Sequence, residues 1–323
     1  MRIPTSSAKF LLPILSCFCF LLHTDLHAQG KRIPLPEPLN DQLYEYSGLG
    51  IYKSKLILLQ QYPATTLPGI DTSYIGEILD GKSLTATIHY WKLIYLEQIK
   101  SRLPYYQGFE AVTVVDNDIF LSIETLDEDR NCYLVRGNIN DSSIILDTAT
   151  ILALPKLRKK QGDSTITIHN IGFESMAWLP KQKRLLLLFE YNRYPGKSTG
   201  YIIDRHLKKR KRIDVDPIDF RITDLFNDGK RTYGINYYYQ GEFGLFEPQE
   251  KIKKGDGFAD WRTDCFSRIV VLDVRKKQVS FNVIRDISFE NDNWEGIMRF
   301  RNGVLLVTDR HPESKLEWHL LVP

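Results

Sequence analysis

What most constrains this chain is a repeat. A short apolar run bounded by polar turns occurs at residues 55–59 (KLILL), 118–123 (DIFLSI), 184–189 (RLLLLF) and 303–308 (GVLLVT). A small motif precedes each run: Ser47-Gly48-Leu49, Glu110-Ala111-Val112, Glu174-Ser175-Met176 and Glu295-Gly296-Ile297. Thr223-Asp224-Leu225, ahead of residues 230–236 (KRTYGIN), completes a series of five. Helical periodicity is hard to find outside residues 91–101, so the chain has to be built from many short strands.

Third strands follow at residues 132–136, 200–204 and 268–273, and fourth strands at 143–147, 212–215 and 279–283. A four-strand unit repeated at this spacing is the pattern of a β-propeller. The expected fold is therefore all-β, a five-bladed propeller. The alternative is a six-bladed ring, made by splitting the 72 residues between positions 223 and 295, which hold a Gly-, Lys- and Asp-rich insertion at 240–264. Two β-sandwiches are the non-propeller alternative. The last unit supplies a third strand at residues 316–322 and then the sequence stops, so its outer strand is expected from residues 32–36 near the start. Pro34 and Pro36 suit an outermost strand, where a missing donor is tolerated.

Residues 1–28 read as a secretion signal. Arg2 and Lys9 make a positive start, residues 10–22 are apolar, and Ala28 precedes Gln29 at a cleavage point. Residues 14–17 (ILSC) also fit lipidation at Cys17, although the apolar stretch continues past it. A periplasmic or secreted location follows, with residues 29–323 as one propeller domain and no membrane-spanning segment after the signal is removed. Two of the four cysteines, Cys132 and Cys265, remain, too few for a disulfide framework or a cysteine zinc site. The 43 Lys+Arg nearly balance 40 Asp+Glu, so net charge makes no case for a nucleic-acid or membrane partner. The basic runs at 208–212 and 156–160 read as solvated turns. A monomer is expected.

In a propeller the first strand of each unit lines the channel, so Ser47, Glu110, Glu174, Thr223 and Glu295 are expected to face one axis. Three gathered carboxylates raise one another's pKa values unless a cation compensates. Hard divalent cations take such oxygen ligands, and calcium tolerates irregular geometry. Without a metal, the same glutamates could bond neighbouring backbone amides and fix the register of the units. Past the second strands lie Glu124, Glu190, Arg193, Asp309, Arg310 and His311. Glu190 or Asp309 could order a nucleophilic water. Arg193 and Arg310, with Glu124, could hold a small anionic or phosphorylated ligand. The aromatics at 237–239 and in the insertion could stack on a ligand or pin the loop.

Residues 45–49 (EYSGL), 170–178 (NIGFESMAW) and 293–297 (NWEGI) resemble recurring motifs of the phytase-like (esterase-like phytase) propeller family. The order serine, glutamate, glutamate, hydroxyl, glutamate is similar to the calcium-activated nucleotidases, secreted five-bladed apyrases. That resemblance implies an axial calcium held by Ser47, Glu110, Glu174, Thr223 and Glu295. It also implies a catalytic aspartate pair ending the first unit's second strand, where this chain has Gln60-Gln61. Two functions follow: a calcium-dependent phosphoester hydrolase using Glu190 and Asp309, or a non-catalytic binding or scaffold propeller with structural calcium. Gln60-Gln61 favours the second.

Overall fold

A computed structural model describes residues 30–161, 164–167, 172–193, 198–242, 248–309 and 313–321. The signal segment with Cys17, and also Tyr194, Phe243, Phe246, Arg310 and His311, lie outside the described residues. Strand β1 is Lys31–Ile33. The first unit then comprises β2 (Tyr46–Tyr52), β3 (Lys55–Gln60), β4 (Thr66–Asp71) and β5 (Ile88–Ile94), with helix α1 (Thr72–Leu79) between its last two strands. Helix α2 (Leu96–Arg102) leads to the second unit: β6 (Tyr106–Val115), β7 (Asp118–Thr125), β8 (Asn131–Ile139) and β9 (Ser143–Pro155). A hairpin of β10 (Arg158–Gln161) and β11 (Ser164–Thr167) precedes the third unit. That unit holds β12 (Ser175–Leu179), β13 (Arg184–Leu188), β14 (Ser198–Asp204) and β15 (Arg210–Val215).

The fourth unit begins with β16 (Arg221–Asn227) and β17 (Thr232–Tyr238). A small hairpin, β18 (Lys253–Lys254) with β19 (Gly257–Phe258), interrupts it before β20 (Phe266–Val274) and β21 (Gln278–Ser288). The fifth has β22 (Trp294–Phe300), β23 (Gly303–Thr308) and β24 (Leu316–Leu320), and β1 pairs antiparallel with β24 as its outer strand. The long fourth interval is thus one four-stranded unit with an insertion. The inner strands touch in cyclic order, β2 to β6, β12, β16, β22 and back to β2, which makes the fold an all-β propeller. Two outer edges are covered by parallel pairing, β5 with β9 and β15 with β21. Such pairing removes exposed edges that would template aggregation.

The unbroken apolar runs have a packing cause. Alternate residues of a strand face opposite ways, and every blade is covered on both sides. In β3, Ile57 and Leu59 join the core shared with the second unit, while Leu56 and Leu58 join the core shared with the fifth. In β13, Leu185 and Leu187 face the second unit and Leu186 and Leu188 face the fourth. A fifth core, around Trp294, Ile297 and Ile235, fills the interface between the fourth and fifth units. The helical periodicity near residues 91–101 is half right. Trp91 is buried in β5, and the helix begins only at Leu96. Helix α1 escaped the sequence reading because it is two turns long, below the length at which periodicity is legible.

Candidate functional site

Four of the five expected axial positions share one backbone device. The β2–β3 ladder passes from Tyr46 opposite Gln60 to Gly48 opposite Leu59, leaving Ser47 as an extra, unpaired residue. Glu110, Thr223 and Glu295 are the extra residues of equivalent bulges in the second, fourth and fifth units. Glu174 immediately precedes the first pair of the third, Ser175 with Leu188. A bulge re-aims one side chain out of the alternation, and here Ser47, Glu110, Glu174 and Glu295 turn into a common cavity of about 500 Å³. Thr223 does not line it. That side chain is fully buried and donates to the Trp294 carbonyl at 2.6 Å.

The same kind of bond recurs between other neighbours. Ser47 donates to the Phe109 carbonyl at 2.8 Å, and Ser175 donates to that of Ile222. Each acceptor belongs to the residue just before the next unit's axial position. The hydroxyls of Ser47 and Thr223 therefore stitch adjacent inner strands.

A second tier surrounds the first. The upper ends of the second strands contribute Gln61, Glu124, Glu190, Tyr237 and Asp309, one per unit, all lining the cavity. Reading the repeat two residues upstream of the axial positions gives Glu45, Gly108, Gly172, Arg221 and Asn293. Gly108 is required there, since a Cβ would stand 2.7 Å from both the side chain and carbonyl of Gln61. Arg221 is the cation that sequence reading missed. It forms an ion pair with Glu190 at the cavity wall, and the upstream register would have found it. Among the described residues, seven carboxylates line the cavity against this one guanidinium, together with the amides of Gln61, Gln107, Asn291 and Asn293.

Arg193 lies elsewhere. It pairs with buried Asp219, which also accepts from the backbone N–H groups of Gln249 at 2.8 Å and Glu250 at 2.7 Å. The three together pin the insertion to the fourth unit. Trp261 of the insertion packs on Phe220, Tyr238 and Phe266, while Tyr62 and Tyr239 stand at the cavity wall, about half exposed. Cys132 and Cys265 are both buried and unbridged.

Burial and crowding dominate the electrostatics. Desolvation, then the charges of Glu124 and Glu174, push the Glu110 carboxyl well above its ordinary value, against a 2.6 Å bond from Gln61 Nε2. Glu295 is raised by desolvation and by Glu174 and Asp309. Desolvation also raises Glu124, opposed by Lys156 and Arg221.

These directions fix a sign. Raised folded-state carboxyls bind protons that the unfolded chain has already released, so stability falls as pH rises above about 4.5 toward the folded values. Chelator-treated protein is thus expected to melt at a higher temperature near pH 5.5 than near pH 8. Scanning calorimetry against pH tests this, and a melting temperature that rises toward pH 8 would contradict it.

Among the described residues, no three His, Cys, Asp or Glu side chains stand close enough together to hold a metal ion as placed. The donor set is nonetheless all hard oxygen, which suits calcium over softer ions.

No family model and no curated protein matches the chain. Solved structures do resemble it. A β-xylosidase, RS223, has a TM-score of 0.49 at 8% identity, over 92% of this chain and 96% of its own. A GH43_1 enzyme from Xanthomonas citri has 0.47 at 9% identity, over 90% and 91%. The soluble aldose sugar dehydrogenase of Escherichia coli has 0.42 at 11% identity, over 88% and 98%. All three fall below a TM-score of 0.5, so the propeller assignment rests on the strand pairing.

Proposed function

We propose that the chain is an exported, monomeric calcium-binding propeller that hydrolyses a small phosphoester in its channel cavity. The observation that supports this is the cavity's charge, which among the described residues is seven carboxylates against a single guanidinium that is already paired. Buried carboxylates with raised pKa values call for a counter-cation. Glu110, Glu174 and Glu295 would hold it, with the Ser47 oxygen as a neutral donor, and Thr223 would take no part. Calcium, when bound, supplies positive charge for phosphate oxygens and polarises a water.

The chain's own groups divide the remaining work. Asp309 Oδ2 faces Asn293 Nδ2 at 3.4 Å, and its Oδ1 is buried with no hydrogen-bond partner among the described residues, which leaves it available to orient a water. Glu190 holds Arg221, whose guanidinium would then meet the ligand's phosphate. Arg310, next to Asp309 in sequence, would add a second cation. The likeness of residues 45–49 and 293–297 to phytase-like motifs supports the same reading.

Phosphate release from phosphomonoesters, nucleotides and phytate, with and without calcium, tests the proposal. Turnover should require calcium and fall about a hundredfold or more in Asp309→Asn. Absence of turnover throughout would favour the second reading, a binding or scaffold propeller with structural calcium. The Gln61–Glu110 and Arg221–Glu190 contacts support that reading, because they satisfy cavity groups without a ligand.

A further inference from the structure

The cavity opens at one end of the channel, and the turns joining first to second and third to fourth strands of each unit lie at the other. At that lower end the fold gathers basic segments that are far apart in sequence. Residues 208–212 (KKRKR) open β15, and residues 275–277 (RKK) form the β20–β21 turn. Parallel pairing of β15 with β21 sets them side by side, with Lys211 Nζ 3.4 Å from the Lys276 carbonyl. Next to them, Lys181, Lys230 and Arg231 line a groove of about 360 Å³ between the third and fourth units. All these basic side chains are exposed. Among the carboxylates interspersed with them, Asp273 pairs with Arg275, and Asp228 accepts from the backbone N–H groups of Lys230 and Arg231. A chain of nearly balanced charge thus carries an acidic cavity at one end and a basic face at the other.

We propose that this lower face of the third and fourth units docks on an anionic lipid bilayer. Two observations favour a bilayer over other polyanions. The charges sit on the turns of two adjacent units at one end of the ring, an arrangement that meets a surface rather than a strand. None of the exposed large aromatic side chains among the described residues lies on these turns, so there is no stacking platform for bases. A basic patch at one end of the ring supplies an electrostatic anchor for such a surface, worth about 1 kcal/mol for each Lys or Arg near it.

Cosedimentation of the full chain with phosphatidylcholine vesicles, with and without phosphatidylglycerol, tests the proposal. Binding should need the anionic lipid, weaken with salt, and fall about fivefold for each Lys removed near the surface. Lys208→Glu/Lys209→Glu/Lys276→Glu/Lys277→Glu should release the protein, and the corresponding Gln variant should weaken it partially. A thermal melt of each variant confirms that it folds. Equal binding to neutral vesicles, no loss in the variants, or no binding at all would overturn the proposal. Preference for soluble heparin over anionic vesicles would overturn it too, in favour of an acidic polysaccharide.

Discussion

Asp224→Ala is expected to cost roughly 3 kcal/mol of stability. Asp224 follows the bulged Thr223, and the equivalent residues in the other units are Gly48, Ala111, Ser175 and Gly296. Asp224 thus carries a carboxyl where the other units have small residues. Its Oδ2 accepts from Ile297 N–H at 2.9 Å, its Oδ1 accepts from Leu225 N–H at 2.7 Å, and Leu49 N–H also bonds the carboxyl. One side chain thus ties the inner strands of the fourth, fifth and first units. Alanine would leave three buried donors unsatisfied, each worth about 1–3 kcal/mol before relaxation. The melting temperature should drop by roughly 5–10 °C. Ser47→Ala, which removes one inter-unit bond, should lose only about 1 kcal/mol. Equal stability of Asp224→Ala and the parent protein would refute the role assigned to this carboxyl.

Glu174→Gln is expected to weaken calcium binding at least tenfold, about 1.4 kcal/mol, while Glu190→Gln changes it little. Glu174 occupies the axial register with Glu110 and Glu295, and its charge raises the pKa of both. Glu190 belongs to the outer tier and is already neutralised by Arg221. Calorimetric titration of chelator-stripped protein separates the two. Equal losses would remove the distinction between tiers, and no binding in the parent would make the axial glutamates structural. In that case the hydrolase reading falls with the metal.

Much of the architecture was legible in the sequence because propeller blades bury both faces. That demand writes itself into runs such as residues 55–59 and 184–189, and the strands fall at or within a few residues of the expected places. The closing role of the N-terminal strand was legible for a related reason: the fifth unit lacks a fourth strand of its own, and residues 31–33 are extended next to prolines. The first unit's outer half was not. Its third strand carries Pro68 and Gly69, and its fourth follows a helix, so neither shows the pattern of the others.

The five motif starts, 47, 110, 174, 223 and 295, were likewise legible in the sequence, since each unit repeats a short motif ahead of its second strand. Sequence could not say which way a bulged side chain points or what it meets. Thr223 and Glu295 hold equivalent positions, yet one bonds a carbonyl inside the wall and the other faces the cavity. Arg193 and Arg221 are both basic residues near second-tier positions, and only packing sends one to Asp219 and the other to Glu190. Asp224 stood in plain view beside Thr223, but its role depends on backbone donors in two other units. Local periodicity therefore determined the strands, the repeat and the candidate positions. Ring closure decided direction, pairing and charge, because those depend on contacts between residues tens to hundreds of positions apart.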